Sequence, residues 1–192
     1  MRRSLLALVL LVAGCGGPVA RPYTPKQAVA NTTAPAVRAP RTQTITVSRD
    51  LRVQVDWPAQ TDPLMKVLTG YYVNSWKAVV SGGDAYLKRV EDPAAREAYD
   101  WVRGFTEVRR SVKGTARLYA LRVAAVMGDG AQINACVDES GLTLVAGDTG
   151  EAVAPQPSWT RAPYLQAVVA HRGDDGVWRV KDFRHSAEGC TR

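Results

Sequence analysis

The chain has 192 residues, of which 46% are hydrophobic, and carries 25 Lys and Arg against 18 Asp and Glu for a formal charge of +7. The cationic surplus is not gathered into a Lys/Arg block interleaved with stacking aromatics, which argues against a nucleic-acid partner. Two histidines, His171 and His185, with no Cys, Asp or Glu beside them at ligand spacing, argue against a metal site.

In chain order, Met1-Arg2-Arg3-Ser4 precedes an unbroken apolar run from Leu5 to Val12, and small residues follow. A cationic start, a short apolar run and small residues at a cleavage point make up an export signal. The run is far below the roughly 18 residues that a transmembrane helix needs. Val12-Ala13-Gly14-Cys15 resembles the bacterial lipobox. The resemblance implies cleavage after residue 14, diacylglycerol on the Cys15 thiol and anchoring at the extracytoplasmic face of a membrane. More than one acyl chain would hold firmly, where a single chain binds only marginally. The stretch 15–44 is rich in Gly, Pro, Ala and Thr, buries little, and reads as a flexible tether. Its cations Arg21, Lys26, Arg38 and Arg41 meet no acid before Asp50, which suits anionic headgroups or cell-wall polymers.

Residues 45–190 read as one domain. Alternation over Ile45–Trp57, broken near Arg49-Asp50, predicts a hairpin or edge strand. Thr61-Asp62-Pro63 opens a helix with an apolar face through Leu64, Leu68, Tyr71, Tyr72, Trp76 and Val79, which Ser81-Gly82-Gly83 stops. Asp92-Pro93 opens a second helix, with Ala94, Ala98, Trp101, Val102, Phe105 and Val108 as its stripe and Arg109-Arg110 at its dipole-favoured end. From Gly114 the pattern turns to strands: Arg117–Met127 and Ala131–Asp138 around Gly128-Asp129-Gly130, then Leu142–Ala146 and a turn at Asp148-Thr149-Gly150. Tyr164–His171 is apolar on both faces and should be central; Gly173–Gly176 turns it into Val177–His185.

With Cys15 lipidated, Cys136 and Cys190 remain as an even pair in an oxidising compartment, where a disulfide between them would staple the C-terminus. Helices first and an antiparallel meander after them argue an α+β domain with helices on one face of a curved sheet. The Tyr71-Tyr72…Trp76 helix, the Cys136-Val137-Asp138 strand and the Gly176-Val177-Trp178-Arg179-Val180 ending resemble NTF2-like cone folds, most nearly small actinobacterial lipoproteins of that class. That resemblance implies a sheet wrapped around a long helix, in a superfamily of ketosteroid isomerases, dehydratases and non-enzymatic accessory domains, so that the fold alone selects no function.

A cone open at its mouth would be lined by Tyr71, Tyr72, Trp76, Asp138, Trp178 and Asp182. Strand parity puts Trp178, Val180 and Asp182 on one face and Phe183 and His185 on the other, which would turn Asp182 inward. Asp138-Glu139-Ser140-Gly141 reads as a strand-end turn, and His171 as a solvated strand end. No catalytic residue and no cofactor is assigned. The expectation is a non-catalytic, lipid-anchored module with an envelope-protein or cell-wall partner; the alternative is a site for a small apolar molecule, with isomerase- or dehydratase-like proton transfer.

Overall fold

The computed structural model describes residues 41–92 and 94–190; the leader, Cys15, the tether up to residue 40 and Pro93 lie outside them. β1 (Arg41–Thr46) and β2 (Leu51–Trp57) form the antiparallel hairpin that alternation predicts, with Ile45 opposite Val53. β1 begins four residues inside the stretch read as tether. Its Arg-Thr-Gln-Thr start is polar and exposed, and becomes a strand by taking the free edge of β2. Leu51, Val53, Val55 and Trp57 turn into the core on alternate positions.

α1 (Met65–Ser81) starts just after Pro63, where the Asp62 carboxylate accepts the Leu64 N–H at 2.8 Å. It ends at Gly82, whose φ of 77° lies in the left-handed region that glycine enters without penalty. Its buried positions Leu68, Tyr72, Trp76 and Val79 follow helical spacing. α2 (Ala94–Thr106) buries Ala94, Ala98 and Val102. Arg109-Arg110 do not complete this helix. Arg103 occupies the last turn, Arg109 takes a φ of 49° and Arg110 opens the next strand.

The remaining strands are β3 (Arg110–Met127), β4 (Gly130–Asp138), β5 (Leu142–Ala146), β6 (Tyr164–Arg172) and β7 (Trp178–Ser186). With β1 and β2 they make one seven-stranded sheet in the order β1-β2-β3-β4-β6-β7, and β5 also pairs with β3. β6 is internal, as its two apolar faces predict. One pairing departs from the antiparallel expectation: β2 lies parallel to β3, Leu51 opposite Gly114. Both helices fill the connection between these two strands, and a parallel pair requires such a long crossover.

α1 and α2 pack on the face carrying Leu118, Ile133, Val137, Val168 and Val180. The result is a mixed α+β domain of two helices and a curved open sheet. Cys136 and Cys190 are disulfide-bonded, with Cα atoms 5.7 Å apart. Since Ala135 and Val137 turn inward, Cys136 points to the opposite face, and the bridge pins the C-terminal segment there. Among the described residues no helix is long and apolar enough to cross a membrane.

β4 and β5 run along the same edge of β3, interrupted at Glu139-Ser140-Gly141. Asp138 pairs with Arg117 and Leu142 with Gly114, so three residues on one side oppose Thr115 and Ala116 on the other. This is a β-bulge, and it resets parity: Val137 turns inward before it, Leu142 and Leu144 after it. The backbones approach too closely there for side chains. A Cβ on Gly114, which has φ 118°, would sit 2.1 Å from the Gly141 carbonyl oxygen, and a Cβ on Gly141 would sit 2.4 Å from that of Thr115.

Candidate functional site

At the bulge Glu139 keeps the inward direction of β4 while the strand itself ends. Its side chain is driven into the domain and the residue is only 4% exposed. The Tyr72 hydroxyl, one face of α1 away, donates to Glu139 Oε1 at 2.6 Å. Burial pushes the Glu139 carboxyl up to about 7, against the lowering effect of the Tyr72, Tyr164 and Trp76 donors; the neighbouring Asp138 charge adds to the rise. The phenols of Tyr72 and Tyr164 are raised well above their ordinary value, chiefly by burial and then by the Glu139 charge, so both remain donors.

Glu139 closes the floor of an inner cavity of about 40 Å³, lined also by Tyr71, Trp76, Gln166 and Phe183. Two polar atoms of residues that line this cavity, Trp76 Nε1 and Gln166 Oε1, are themselves fully buried and have no hydrogen bond of normal geometry from the protein. Outside this cavity lies a vestibule of about 480 Å³ walled by Trp76, Trp101, Trp159, Pro163 and Tyr164, with Ser186 and Ala187 at its rim; Glu139 lines both spaces. The wall rings support one another: Trp76 meets Trp101 edge-on at 5.0 Å and Trp159 at 6.0 Å between centroids. His185 stands at the opening with its ring 5.3 Å from Tyr164, and desolvation lowers its pKa, so it is neutral at pH 7.

Of the residues expected at a cavity, Tyr71, Tyr72 and Trp76 line it. Asp138, Trp178 and Asp182 do not. Asp138 points out of the inner face and accepts the Ser140 N–H at 3.0 Å, closing the strand-end turn. Trp178 packs on the core at the far end of β7, opposite Arg172. Asp182 is turned outward by a second bulge: Val169 pairs with Asp182 and Ala170 with Val180, leaving Lys181 as the extra residue. Phe183 and His185 therefore face inward, and Asp182 lies beside Arg184 at 3.3 Å. His171, read as a solvated strand end, has Nδ1 2.9 Å from Glu91 Oε1.

Sequence reasoning passed over Glu139, Tyr164, Gln166, Trp101 and Trp159 as site residues. For Glu139 a signal existed: the alternation Ile133, Ala135, Val137, carried two residues further, lands on it. Among the described residues no cluster of three or more His, Cys, Asp or Glu side chains is disposed to hold a metal ion.

No family model matches the chain, and no curated protein matches it. Among solved structures it is similar to the intermembrane space region of the chloroplast protein ARC6, with a TM-score of 0.46 and 11% identity over 67% of this chain and 99% of that one. It is also similar to a protein described as a candidate aromatic ring hydroxylase from Novosphingobium aromaticivorans, with a TM-score of 0.45 and 16% identity over 68% of this chain and 94% of that one.

Proposed function

We propose that this chain is an exported lipoprotein, held at the extracytoplasmic face of a membrane through Cys15, whose NTF2-like cone domain binds a small, largely apolar ligand. The observation that carries the ligand-binding part is the aromatic vestibule of about 480 Å³ above a buried carboxyl. Its size falls in the range of small-molecule sites, roughly 300–1,000 Å³, and apolar walls with a few placed polar groups are their usual composition. The inner cavity holds only about 40 Å³, so the body of the ligand sits in the vestibule.

The anchoring part rests on the Val12–Cys15 motif behind the apolar run from Leu5. Mass spectrometry of the protein from its native membrane is expected to find Cys15 as the first residue, bearing diacylglycerol. A free thiol with the leader still attached would remove this part of the reading.

For the vestibule, the neutral naphthalene dye prodan is expected to bind the full chain saturably with a blue-shifted emission. Trp101→Ala removes a wall that is 38% exposed and should leave the fold intact. It is expected to weaken prodan binding by about tenfold, equivalent to ~1.4 kcal/mol. Unsaturable prodan emission, unchanged by that substitution, would leave the exterior-surface reading, with a protein or cell-wall partner, as the better account.

A second reading, proton transfer on a bound ligand, is favoured by one observation: a carboxyl held near 7 beside two phenols, which is the range a general base needs. Turnover of a bound compound that Glu139→Gln abolishes would replace binding by catalysis.

A further inference from the structure

The inner cavity asks for a particular kind of chemical group. Its floor is the Glu139 carboxyl, and no lysine, arginine or histidine among the described residues forms an ion pair with it; each acid in such a pair is another residue. A buried carboxylate without a cation is held at the cost of its lost hydration. The protein leaves that charge to be answered from outside or neutralised by a proton. The Gln166 side chain lines the same space, while its Oε1 is itself fully buried and without a protein partner. A buried acceptor that borders a small space and has no cation of its own calls for a charged N–H donor. At about 40 Å³ the space admits a group about the size of one or a few water molecules and no bulkier substituent. Beside it, Trp101, Trp159 and Tyr164 give the vestibule aromatic walls, which attract a flat apolar body.

We infer that the ligand is a primary ammonium carried on a flat apolar body, with its nitrogen against the Glu139 carboxylate and its ring system in the vestibule. This rests on the vestibule being a ligand site and adds the chemical class of what enters it. Tyr72 and Tyr164 remain donors to the carboxylate and hold it in place for the cation. The neighbouring Asp138 charge raises the negative potential at the floor.

The test is calorimetric titration of the full chain at about pH 8 with three compounds of one shape: 2-phenylethylamine, 2-phenylethanol and 3-phenylpropionate. The amine is protonated there, as an alkylammonium with a pKa near 10 must be. It is expected to bind at least about tenfold more tightly than the alcohol, a gap of ~1.4 kcal/mol, and the carboxylate to bind least. Glu139→Gln, which keeps the shape and removes the charge, should bring amine and alcohol to equal affinity. N,N,N-trimethyl-2-phenylethylammonium, with the same charge on too large a head, should lose most of the advantage. Equal binding of amine and alcohol by the unaltered protein, a preference that survives Glu139→Gln, or no saturable amine binding would each overturn the inference. Prodan separates the two levels. If it still binds saturably, only the ammonium inference has failed; if it does not, the vestibule reading has failed as well.

Discussion

Glu139→Gln should raise the melting temperature at about pH 8 by roughly 6–12 °C, and should flatten most of the pH dependence of stability between about 4.5 and 7. The folded carboxyl titrates near 7 where an ordinary glutamate titrates at 4.5. Between those values the folded chain holds a proton that the unfolded chain has released. The contribution of this group to stability is therefore complete below about 4.5 and is lost as pH rises through about 7. At 1.36 kcal/mol for each unit, the loss is on the order of 3 kcal/mol. Glutamine is neutral at every pH, and its amide oxygen can still accept the Tyr72 hydroxyl. Among the other groups facing Glu139, Tyr72 and Tyr164 stay protonated, and His185, lowered by desolvation, adds a slope of the opposite sign below about 6.5 in both proteins, which their comparison cancels. Thermal melts of both proteins from pH 4.5 to 8 check this. A lower melting temperature for the glutamine variant at pH 8 would mean that the carboxylate is stabilised by something other than these donors. Together with the expected loss of amine preference, the substitution would exchange function for stability at a single position.

Trp76→Ala is expected to destabilise the domain by about 4 kcal/mol, within the range of 3–5 kcal/mol found when a buried Trp or Phe is truncated. Trp76 is 1% exposed, and its ring meets Tyr72 at 6.4 Å, Trp101 at 5.0 Å, Phe105 at 5.5 Å and Trp159 at 6.0 Å. It joins α1, α2 and the loop before β6 through one side chain, so truncation opens a void that no single neighbour can fill. Urea denaturation should show a lower midpoint with an unchanged slope, because the unfolded surface is nearly the same. Trp76→Phe keeps the cluster and should recover most of the loss. A midpoint within ~0.5 kcal/mol of the parent for the alanine variant would show that the ring cluster is incidental to the core.

Much of this architecture was legible because its signals are local. The caps and stops of α1, the Gly128-Asp129 hairpin, the alternation of β2 and the apolar β6 each depend on a few adjacent residues. The even pair Cys136 and Cys190 was legible by counting. The parallel seating of β2 on β3 was not, because pairing across two intervening helices leaves no mark in either strand. The site suffered for a different reason. Parity arguments assume an unbroken strand, and both bulges insert one residue beside the residues that matter. Lys181 reverses the facing of everything after it, so Asp182 was expected inside and Phe183 and His185 outside. At Glu139 the opposite happened: alternation still held for one more step, but the Ser140-Gly141 turn masked it as a loop acid. The aromatic walls fared better on α1, where Tyr71, Tyr72 and Trp76 share a face. Trp101 and Trp159 come from separate elements and meet only once the helices are docked.

The rim of the vestibule is a short strap. Its first anchor is the last pair of the β6–β7 ladder, Leu165 opposite Ser186, and its second is the bond from Cys190 to Cys136. Ser186 and Ala187 are thus held from both directions and have little of the wandering of a chain end. A guest that settles against them finds a surface already in shape, so little of its affinity is spent on quieting the protein.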